Sequence, residues 1–543
     1  MNWVITLVYL KDGENPKQGM KISRVLLYTA GIRHLLSLHP HSGEGTPPLY
    51  GDYEAQRHWM EITLNLPVNA WYRKTPHNDL LYWGLDYPPL TAYISLFCGS
   101  LSRHFDAPSM ELHASRGYET DEHKVFMRFS VLALDFLVYF PAAWAICRSS
   151  QSITGHSWGN SALRAGLALA QPAFVLIDHA HFQYNAVSLG LALGGAAACV
   201  SGQEVAGSIL FCLSLNFKQM SLYYAPVFFF YLLGRRLRRP QVSIHIIKLA
   251  ATVFGTFTLL WAPFCIFASS ERLCWGSLSD VLGRLFPFSR GLFEDKVANL
   301  WYTLSVVVDL RAATWISSGG LRALSVGATL LLLTPIAWDL LARPDSLRAA
   351  ELYVSGHVEA RLQRCCGWAK HRNVVRFLLA LFNSGMAFFL CSFQVHEKSF
   401  LLPLVPLSFL ALEDPLFVGW LSCIAVFSMH PLLLRDGVSL AYIATTGLFL
   451  VALRTCFHAL AVAKVPEVLN NYADWHSEPS RSKVLIVSGA GALVLHGLRA
   501  LIPPPKRYPD LYPLLFSVYS FGHFVGAWIY GICWQRRIST VVH

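Results

Sequence analysis

Nine residues near the start of the chain, GDYEAQRHW at positions 51–59, combine two carboxylates, an amide, a guanidinium and an imidazole. A carboxylate held just outside a lipid bilayer can take the proton of a sugar hydroxyl as that hydroxyl attacks, and Asp52 is the candidate for this base. Glu54, Arg57 and His58 are candidates for binding substrate, by orienting the sugar or by holding a phosphate. The alternative is a solvated loop in which Asp52 caps a local helix.

A second stretch, WGLDYPP at positions 83–89, lies in the same polar region. Planar rings cover the apolar faces of sugars, so Trp83, Asp86 and Tyr87 are candidates for substrate binding. The alternative is a rigid loop whose aromatic rings lie at the level of the lipid headgroups. The two interpretations are compatible with each other.

Further polar residues follow apolar segments later in the chain and could bind a sugar or a lipid phosphate. They are His181, Gln183, Lys218, Gln219, Lys296, His396, Glu397 and Lys398. An ionisable residue near a membrane boundary is a functional candidate. The same side chains could instead satisfy helix ends or extend from the membrane to water, and the charges at 294–296 could form a solvated face.

The composition indicates a protein embedded in a membrane. Of 543 residues, 54% are hydrophobic and only 14% are charged, whereas soluble proteins carry roughly 25% charge. The net charge of +11 comes from short basic clusters between apolar runs, which is the pattern that orients membrane proteins. We therefore expect no binding to nucleic acid.

Other chemistries have little support in the sequence. The 12 cysteines are scattered, mostly in apolar runs, which favours buried thiols over a metal site or disulfides. Asp-x-Asp, P-loop and dinucleotide-binding motifs are absent from the sequence, which argues against a metal-bound nucleotide sugar. We expect no metal and no cofactor. Residues 1–19 lack the features of a secretory signal, so we expect the chain to enter the membrane through its own helices.

Fourteen apolar segments approach the length of about 20 residues that a spanning helix needs. Between them we expect two large loops, 39–124 and 269–320, and within the first loop an interfacial helix at 89–105. The segments are 22–38, 125–147, 162–177, 186–200, 206–215, 220–234, 244–267, 321–341, 374–393, 400–412, 416–429, 439–462, 484–501 and 511–532. The pattern predicts an all-α polytopic membrane protein with about 11–14 spanning helices.

If successive segments cross the membrane in opposite directions, the polar residues between them are divided between the two faces of the membrane. The basic clusters at 235–239, 343–372 and 536–537 fall on one face together with both termini, and short basic loops remain cytosolic. The polar residues around Asp52, His181, Lys218, Glu294 and His396 fall on the other face. The sequence therefore predicts a single site on the face away from the cytosol.

Seven segments in this order closely resemble the eukaryotic dolichyl-phosphate-glucose glucosyltransferase family of the endoplasmic reticulum. The first, GDYEAQRHW, favours the branch that adds the first glucose. The resemblance covers about residues 49–398, and beyond about 414 only hydrophobic similarity is expected. The segments are GDYEAQRHW, WGLDYPPLTAY, RGYE, DHAHFQYN, NFKQM, LFPFSRGLFEDKVANLW and FQVHEKS.

The resemblance implies a GT-C fold with the active site in lumenal loops of the endoplasmic reticulum. It implies dolichyl-phosphate glucose as donor, a lipid-linked high-mannose oligosaccharide as acceptor, and an inverting reaction that forms an α-1,3 linkage. Asp52 matches the position of the family's catalytic base. Inversion needs one carboxylate base, whereas retention would need a second, nucleophilic carboxylate. Side-chain cations can meet the charge of the leaving phosphate, with His396 and Lys398 ahead of Lys218 and Arg57.

We expect a catalytic module at 1–412 and additional membrane helices at 413–543.

Two kinds of alternative function remain open. A sister transferase that adds the second glucose, or mannose, would share most of these features. A transporter or flippase of lipid-linked sugars is the alternative outside the enzymes, but transporters place their polar groups near the bilayer midplane on broken helices.

Overall fold

The structure is a computed structural model. It describes residues 22–149, 158–237, 240–268, 274–286, 296–308, 310, 316–343, 360–462 and 479–540. Within these ranges the regular structure is helical, apart from one isolated antiparallel bridge between Thr75 and Asn78.

The helices are numbered in chain order. The first half contains α1 (Ile22–Ser37), α2 (Gly51–Asn65), α3 (Pro89–Phe105), α4 (Asp121–Ser149), α5 (Trp158–Leu169), α6 (Pro172–Val175), α7 (Asn185–Val200), α8 (Glu204–Phe217), α9 (Ala225–Arg236) and α10 (Val242–Ile266). The second half contains α11 (Cys274–Leu285), α12 (Leu300–Leu304), α13 (Ser318–Ala342), α14 (Ala360–Cys391), α15 (Leu401–Ser408), α16 (Pro415–Ser428), α17 (His430–Arg435), α18 (Ser439–Val462), α19 (Pro479–Leu501) and α20 (Leu511–Thr540).

The architecture is that of a multi-pass membrane protein, as predicted. Seven helices in the described ranges are long and apolar enough to cross a membrane, namely α4, α10, α13, α14, α18, α19 and α20. Three shorter apolar helices accompany them: α7, α8 and α16. Each of the fourteen predicted segments contains a helix, and 89–105 and 439–462 have the predicted bounds.

The long helix α14 forms the centre of the bundle. The apolar window of Lys370–Cys391 is 94% buried, whereas that of α10 is only 6% buried. The α14 side chains pack against α13, α15 and α20, and Arg376 donates from Nε to the Asp339 carboxylate of α13 over 2.9 Å. The α10 surface is therefore available to lipid, as its apolar composition requires.

The prediction of one continuous apolar segment at 162–177 was wrong. The chain breaks after α5, because Pro172 has no N–H with which to continue that helix. The side chain of Gln171 caps the new helix by accepting from the Phe174 N–H over 3.1 Å. A π-helical turn, Leu176–Phe182, follows α6 directly and ends at Phe182, where φ is +91°.

Three predicted loops contain helix. In the first large loop, α2 begins at Gly51, where φ is +68° and a Cβ atom would lie 2.5 Å from the Ser42 carbonyl oxygen. Only glycine fits that approach. The second large loop contains α11, and the last residues of the predicted basic loop, 360–372, belong to α14.

A disulfide between Cys265 and Cys274 corrects the expectation that disulfides are absent. It links the end of α10 to the start of α11. The two cysteines are nine residues apart in the sequence and belong to no recognisable motif, so only the fold reveals the pair.

Ion pairs between the ends of helices follow the predicted alternation of faces. Lys296 pairs with Asp510, and Lys398 pairs with Asp52, all on the face predicted to lie away from the cytosol. Arg236 pairs with Glu204 on the opposite face. Because a single miscounted span would place such partners on opposite faces, these pairs support the alternation.

Candidate active site

Asp52, the second residue of α2, is the centre of a polar cluster. Its Oδ2 atom accepts hydrogen bonds from Lys398 Nζ at 2.6 Å, Gln183 Nε2 at 2.5 Å and His181 Nε2 at 3.0 Å. Among the described residues no hydrogen bond reaches Oδ1, and the side chain is 23% exposed. One oxygen is therefore fixed, while the other is open to a ligand.

Three separate parts of the chain position these donors. Lys398 lies in the 3₁₀ turn Glu397–Phe400, which follows α14. His181 and Gln183 lie at the end of the π-helical turn, whose backbone is held by Arg128 of α4 through the Ala180 carbonyl at 2.9 Å. Ser42 joins the parts, since its N–H donates to the His181 carbonyl at 2.9 Å and its Oγ accepts from the Asp52 N–H at 3.3 Å.

Lys218 adds a second cation beside this cluster. Its Nζ donates to Asn185 Oδ1 at 2.6 Å and to Gln183 Oε1 at 3.3 Å, and lies 4.8 Å from the centre of the Tyr87 ring. Gln183 thus connects Lys218 to Asp52. The predicted candidates Asp52, His181, Gln183, Lys218, Lys398 and Tyr87 are brought together.

Burial and charge compete at this site. Burial opposes ionisation of Asp52, but Lys398 and His181 overcome it and hold the pKa of the carboxyl well below its usual range. Burial also opposes the charge on Lys398, but Asp52 raises the pKa of the amine. At His181, burial and Lys398 oppose protonation, but hydrogen bonds to Asp436 and Asp52 raise the imidazole pKa.

Lys218 titrates differently from Lys398. Its burial, together with the nearby charge of Lys398, lowers the pKa of the Lys218 amine to about 8. The site therefore holds one cation that is paired directly with Asp52 and a second cation whose pKa lies nearer to neutrality.

The loop that contains Trp83, Asp86 and Tyr87 is held from two sides. Gln219 Nε2 donates to the Asp86 carbonyl at 3.0 Å. Arg284 of α11 donates to the Gly84 carbonyl at 2.6 Å and to the Leu85 carbonyl at 3.2 Å. Trp83 Nε1 donates to the Leu49 carbonyl at 2.5 Å, so the loop also contacts the segment just before α2.

Glu54, Arg57 and His58 lie on the buried side of α2. The fully buried Arg57 guanidinium bonds both oxygens of Glu54 at 2.6 Å and Glu61 Oε2 at 2.7 Å. His58 Nδ1 lies 3.1 Å from the same Glu61 oxygen. Arg57 also donates to Ser115 Oγ at 2.6 Å, which attaches the loop after α3 to α2. A substrate-binding role for these three residues stays a prediction; their contacts form a buried ion-pair network.

The remaining candidates lie in two places. His396 and Glu397 directly precede Lys398, and the His396 carbonyl accepts from the Ser399 N–H at 3.0 Å. Lys296 pairs with Asp510, which precedes α20. Substrate binding by these residues stays a prediction, and Glu294 and Asp295 lie outside the described residues.

Asp436 was missed by the sequence analysis. Its Oδ2 lies 2.5 Å from His181 Nδ1, and its side chain is 3% exposed. A signal existed, because the predicted spans at 416–429 and 439–462 place residue 436 on the same face as Asp52. Asp436 lies in the predicted region of additional membrane helices, 413–543, and not in the predicted catalytic module, 1–412. The division of the chain at residue 412 stays a prediction.

Comparison with known proteins identifies the family. A model described as the ALG6, ALG8 glycosyltransferase family matches residues 22–530. The chain belongs to this family. Membership in the ALG6, ALG8 family makes the protein a GT-C membrane glycosyltransferase and does not favour the transporter alternative. The family match also corrects the expected extent of 49–398, because it covers residues 22–530.

Individual members of the family are similar over nearly the full chain. A chicken dolichyl pyrophosphate Man9GlcNAc2 alpha-1,3-glucosyltransferase is 40% identical over 536 residues, which cover 96% of this chain and 97% of the relative. The mouse protein of the same name is 38% identical and covers 93% of this chain and 94% of its own. An Arabidopsis thaliana protein named as a probable member of this type is 38% identical, with 92% and 87% covered.

Proposed function

We propose that this protein is an inverting α-1,3-glucosyltransferase that adds the first glucose to the dolichyl pyrophosphate-linked Man9GlcNAc2 oligosaccharide, with dolichyl-phosphate glucose as donor. The chicken and mouse relatives carry this acceptor and this linkage in their names. The observation that carries the mechanism is the Asp52 carboxylate, which is bound by three donors through Oδ2 while Oδ1 remains open.

In this mechanism Asp52 acts as the general base. The acceptor hydroxyl gives its proton to Oδ1 of Asp52 as its oxygen forms a bond to the anomeric carbon of the donor. The bond from that carbon to the phosphate oxygen breaks, and its electron pair leaves with dolichyl phosphate. A single displacement inverts a β-linked donor to an α-linked product, and no second carboxylate is needed.

Nearby cations would receive the leaving phosphate. Lys398 and Lys218 both approach the Asp52 cluster, and His396 lies two residues before Lys398. Positive charge placed where negative charge develops stabilises the transition state. Because these side chains can supply the charge, we propose that the reaction needs no metal.

We further propose that the site faces the lumen of the endoplasmic reticulum and that both termini face the cytosol. The disulfide between Cys265 and Cys274 supports this orientation, since disulfides persist in oxidising compartments. Its position at the end of α10 is on the same predicted face as Asp52.

A transfer assay with purified protein tests the base. We expect Asp52→Asn to remain folded and bind both substrates but to lose turnover by about 10²–10⁴-fold, the usual contribution of a general base. Asp121→Asn is the matched control, because Asp121 is an exposed carboxylate in the first turn of α4. Near-normal turnover by Asp52→Asn would remove Asp52 from the role of base.

The same assay tests the donor and the acceptor. We expect transfer from dolichyl-phosphate glucose, but not from dolichyl-phosphate mannose, and only to acceptor that carries no glucose. Transfer of mannose, or a preference for acceptor that already carries one glucose, would assign the protein to a sister activity.

A further inference from the structure

Asp436 follows α17 and points at the side of His181 that faces away from Asp52. The distance from Asp436 Oδ2 to His181 Nδ1 is 2.5 Å, and the distance from His181 Nε2 to Asp52 Oδ2 is 3.0 Å. The buried imidazole of His181 thus contacts the Asp436 carboxylate through one ring nitrogen and the Asp52 carboxylate through the other. The His181 side chain is 2% exposed. Asp436 has no role in the proposed sugar-transfer mechanism.

The two distances constrain the protonation of the ring. A neutral imidazole has one N–H, so its other nitrogen would present a lone pair to a carboxylate oxygen. Only the imidazolium donates to both Asp436 and Asp52. Two further cations also face His181 or its backbone, Lys398 at 3.2 Å from Nε2 and Arg128 at the preceding carbonyls. Without Asp436, these cations would disfavour the charge on the ring.

The same contacts fix the orientation of the base. His181, Gln183 and Lys398 all bind Oδ2 of Asp52, which leaves Oδ1 as the oxygen open to the acceptor. A neutral ring would turn the His181 contact from attraction to repulsion and weaken that orientation. A small change in the direction of a base costs large factors in rate.

We propose that Asp436 is a positioning residue for sugar transfer: through His181 it keeps the imidazole doubly protonated and fixes the orientation in which Asp52 presents its open oxygen to the acceptor hydroxyl. This inference rests on the proposed role of Asp52 as base. It extends the proposed site to the residue that follows α17, in the C-terminal quarter of the chain.

The test is the steady-state kinetics of the full-length enzyme in lipid nanodiscs, with dolichyl-phosphate glucose and lipid-linked Man9GlcNAc2, across a range of pH. We expect Asp436→Asn to lower kcat by about 10–100-fold, as loss of an outer-shell partner does, with both KM values almost unchanged. Asp436→Glu keeps the charge and should recover part of the loss.

The pH profile distinguishes positioning from mere structural support. Activity should fall as pH rises through the pKa of His181, because the ring then loses the proton that binds a carboxylate. Removing the negative charge of Asp436 lowers that pKa, so the fall in kcat/KM should move to lower pH by about 1–2 units. The test depends on the difference in the alkaline limb of kcat/KM between wild type and Asp436→Asn, and not on the pH at which that limb lies. The reason is that the pKa of Lys218 is also lowered, to about 8.

A double-mutant cycle provides the second readout. If Asp436 acts through His181, adding Asp436→Asn to His181→Gln should change kcat by less than about twofold. Equal losses in both backgrounds, or a single Asp436→Asn variant with unchanged kcat and an unshifted profile, would overturn the proposal. If Asp436→Asn does not fold, His181→Gln alone decides, since a basic limb that remains unaltered without the imidazole would also overturn it.

Failure of the wider mechanism would give a different result. A wild-type protein that transfers no glucose, or an active Asp52→Asn variant, would contradict the proposed function. Active wild type and inactive Asp52→Asn, together with an unaltered Asp436→Asn, would contradict only the role of Asp436.

Discussion

In the proposed mechanism, the carboxylate of Asp52 must be ionised before the acceptor arrives and must accept a proton as the sugar bond forms. Lys398 and His181 satisfy the first requirement by holding its pKa well below the usual range. A carboxyl with a depressed pKa is a weak base in the resting enzyme, but it releases the captured proton readily. The Lys398 ammonium lies beside this carboxylate and is also proposed to contact the leaving phosphate. As Asp52 takes up a proton and the phosphate gains negative charge, the attraction of Lys398 for Asp52 weakens and its attraction for the phosphate grows.

Replacing Lys398 should affect both functions. We expect Lys398→Gln to lower kcat by about 10²–10³-fold, which corresponds to about 2.7–4 kcal/mol of transition-state stabilisation. Because Lys398 lowers the pKa of Asp52, its loss should raise that pKa. Activity, which needs ionised Asp52, should then be lost at a higher pH as the solution is made acidic. The pH dependence of kcat/KM measures this shift.

The control for this variant is Lys248→Gln on the exposed part of α10. It removes one positive charge far from the Asp52 contacts and should leave turnover and the acidic limb unchanged. An acidic limb that stays in place in Lys398→Gln would show that Lys398 does not control the ionisation of Asp52.

Among the helices, α11 serves as a support for the loop at 83–89. The disulfide attaches its first residue to α10, and Arg284 in its last turn holds the Gly84 and Leu85 carbonyls. The loop in turn presents Tyr87 to Lys218. Helix α11 thus connects the membrane span α10 to the loop at 83–89, which is part of the proposed substrate site.

We expect Arg284→Gln to loosen this loop. Hydrogen bonds from a charged donor contribute about 1.5–3 kcal/mol, so KM for at least one substrate should rise by roughly tenfold or more, with a smaller change in kcat. The matched control is Arg103→Gln, whose exposed guanidinium bonds Asn65 Oδ1. Unchanged KM values for both substrates would show that the loop does not depend on Arg284.

Two π-helical turns meet inside the bundle. Asp135, in the turn Asp135–Tyr139, accepts from Arg33 Nε at 2.5 Å and lies 2.9 Å from His179 of the turn Leu176–Phe182. All three side chains are buried. The cluster joins α1 and α4 to the segment that carries His181, so it supports the active site from within the membrane.

Breaking one partner of this cluster should destabilise the protein strongly. We expect Asp135→Leu to cost about 3–5 kcal/mol, because it leaves the Arg33 guanidinium buried and uncompensated. The double variant Arg33→Met/Asp135→Leu removes both charges and should recover much of the loss. Thermal unfolding in detergent measures both, and a double variant less stable than Asp135→Leu would contradict this account.

Across the whole molecule, the alternation of spans determines which loops share a face. We expect Lys506→Cys, in the exposed loop before α20, to react with a membrane-impermeant maleimide only after microsomes are permeabilised. Gln203→Cys, between α7 and α8, should react in intact microsomes. Both variants are made with Cys533→Ser, because Cys533 is exposed. The reverse pattern would invert the proposed orientation.

Hydropathy was sufficient to predict where most apolar helices lie, and alternation was sufficient to predict the approach of Asp52, His181, Lys218 and Lys398. The network of Glu54, Arg57 and Glu61 was not predicted, although its spacing of three and four residues is typical of one helix face. The error was to interpret 51–65 as a loop. The π-helical turns, the disulfide and the contact of Asp436 with His181 depend on packing between distant segments, which no local pattern encodes.

The position of Asp436 in the chain has a consequence for synthesis. Its contact with His181 joins residues 255 positions apart, so a ribosome that has completed every motif from 51 to 398 has still not supplied the partner of that imidazole. The nascent chain therefore lacks this contact until residue 436 has been synthesised. A premature stop codon between positions 399 and 436 would yield a protein that retains all the quoted motifs and lacks the carboxylate partner of His181.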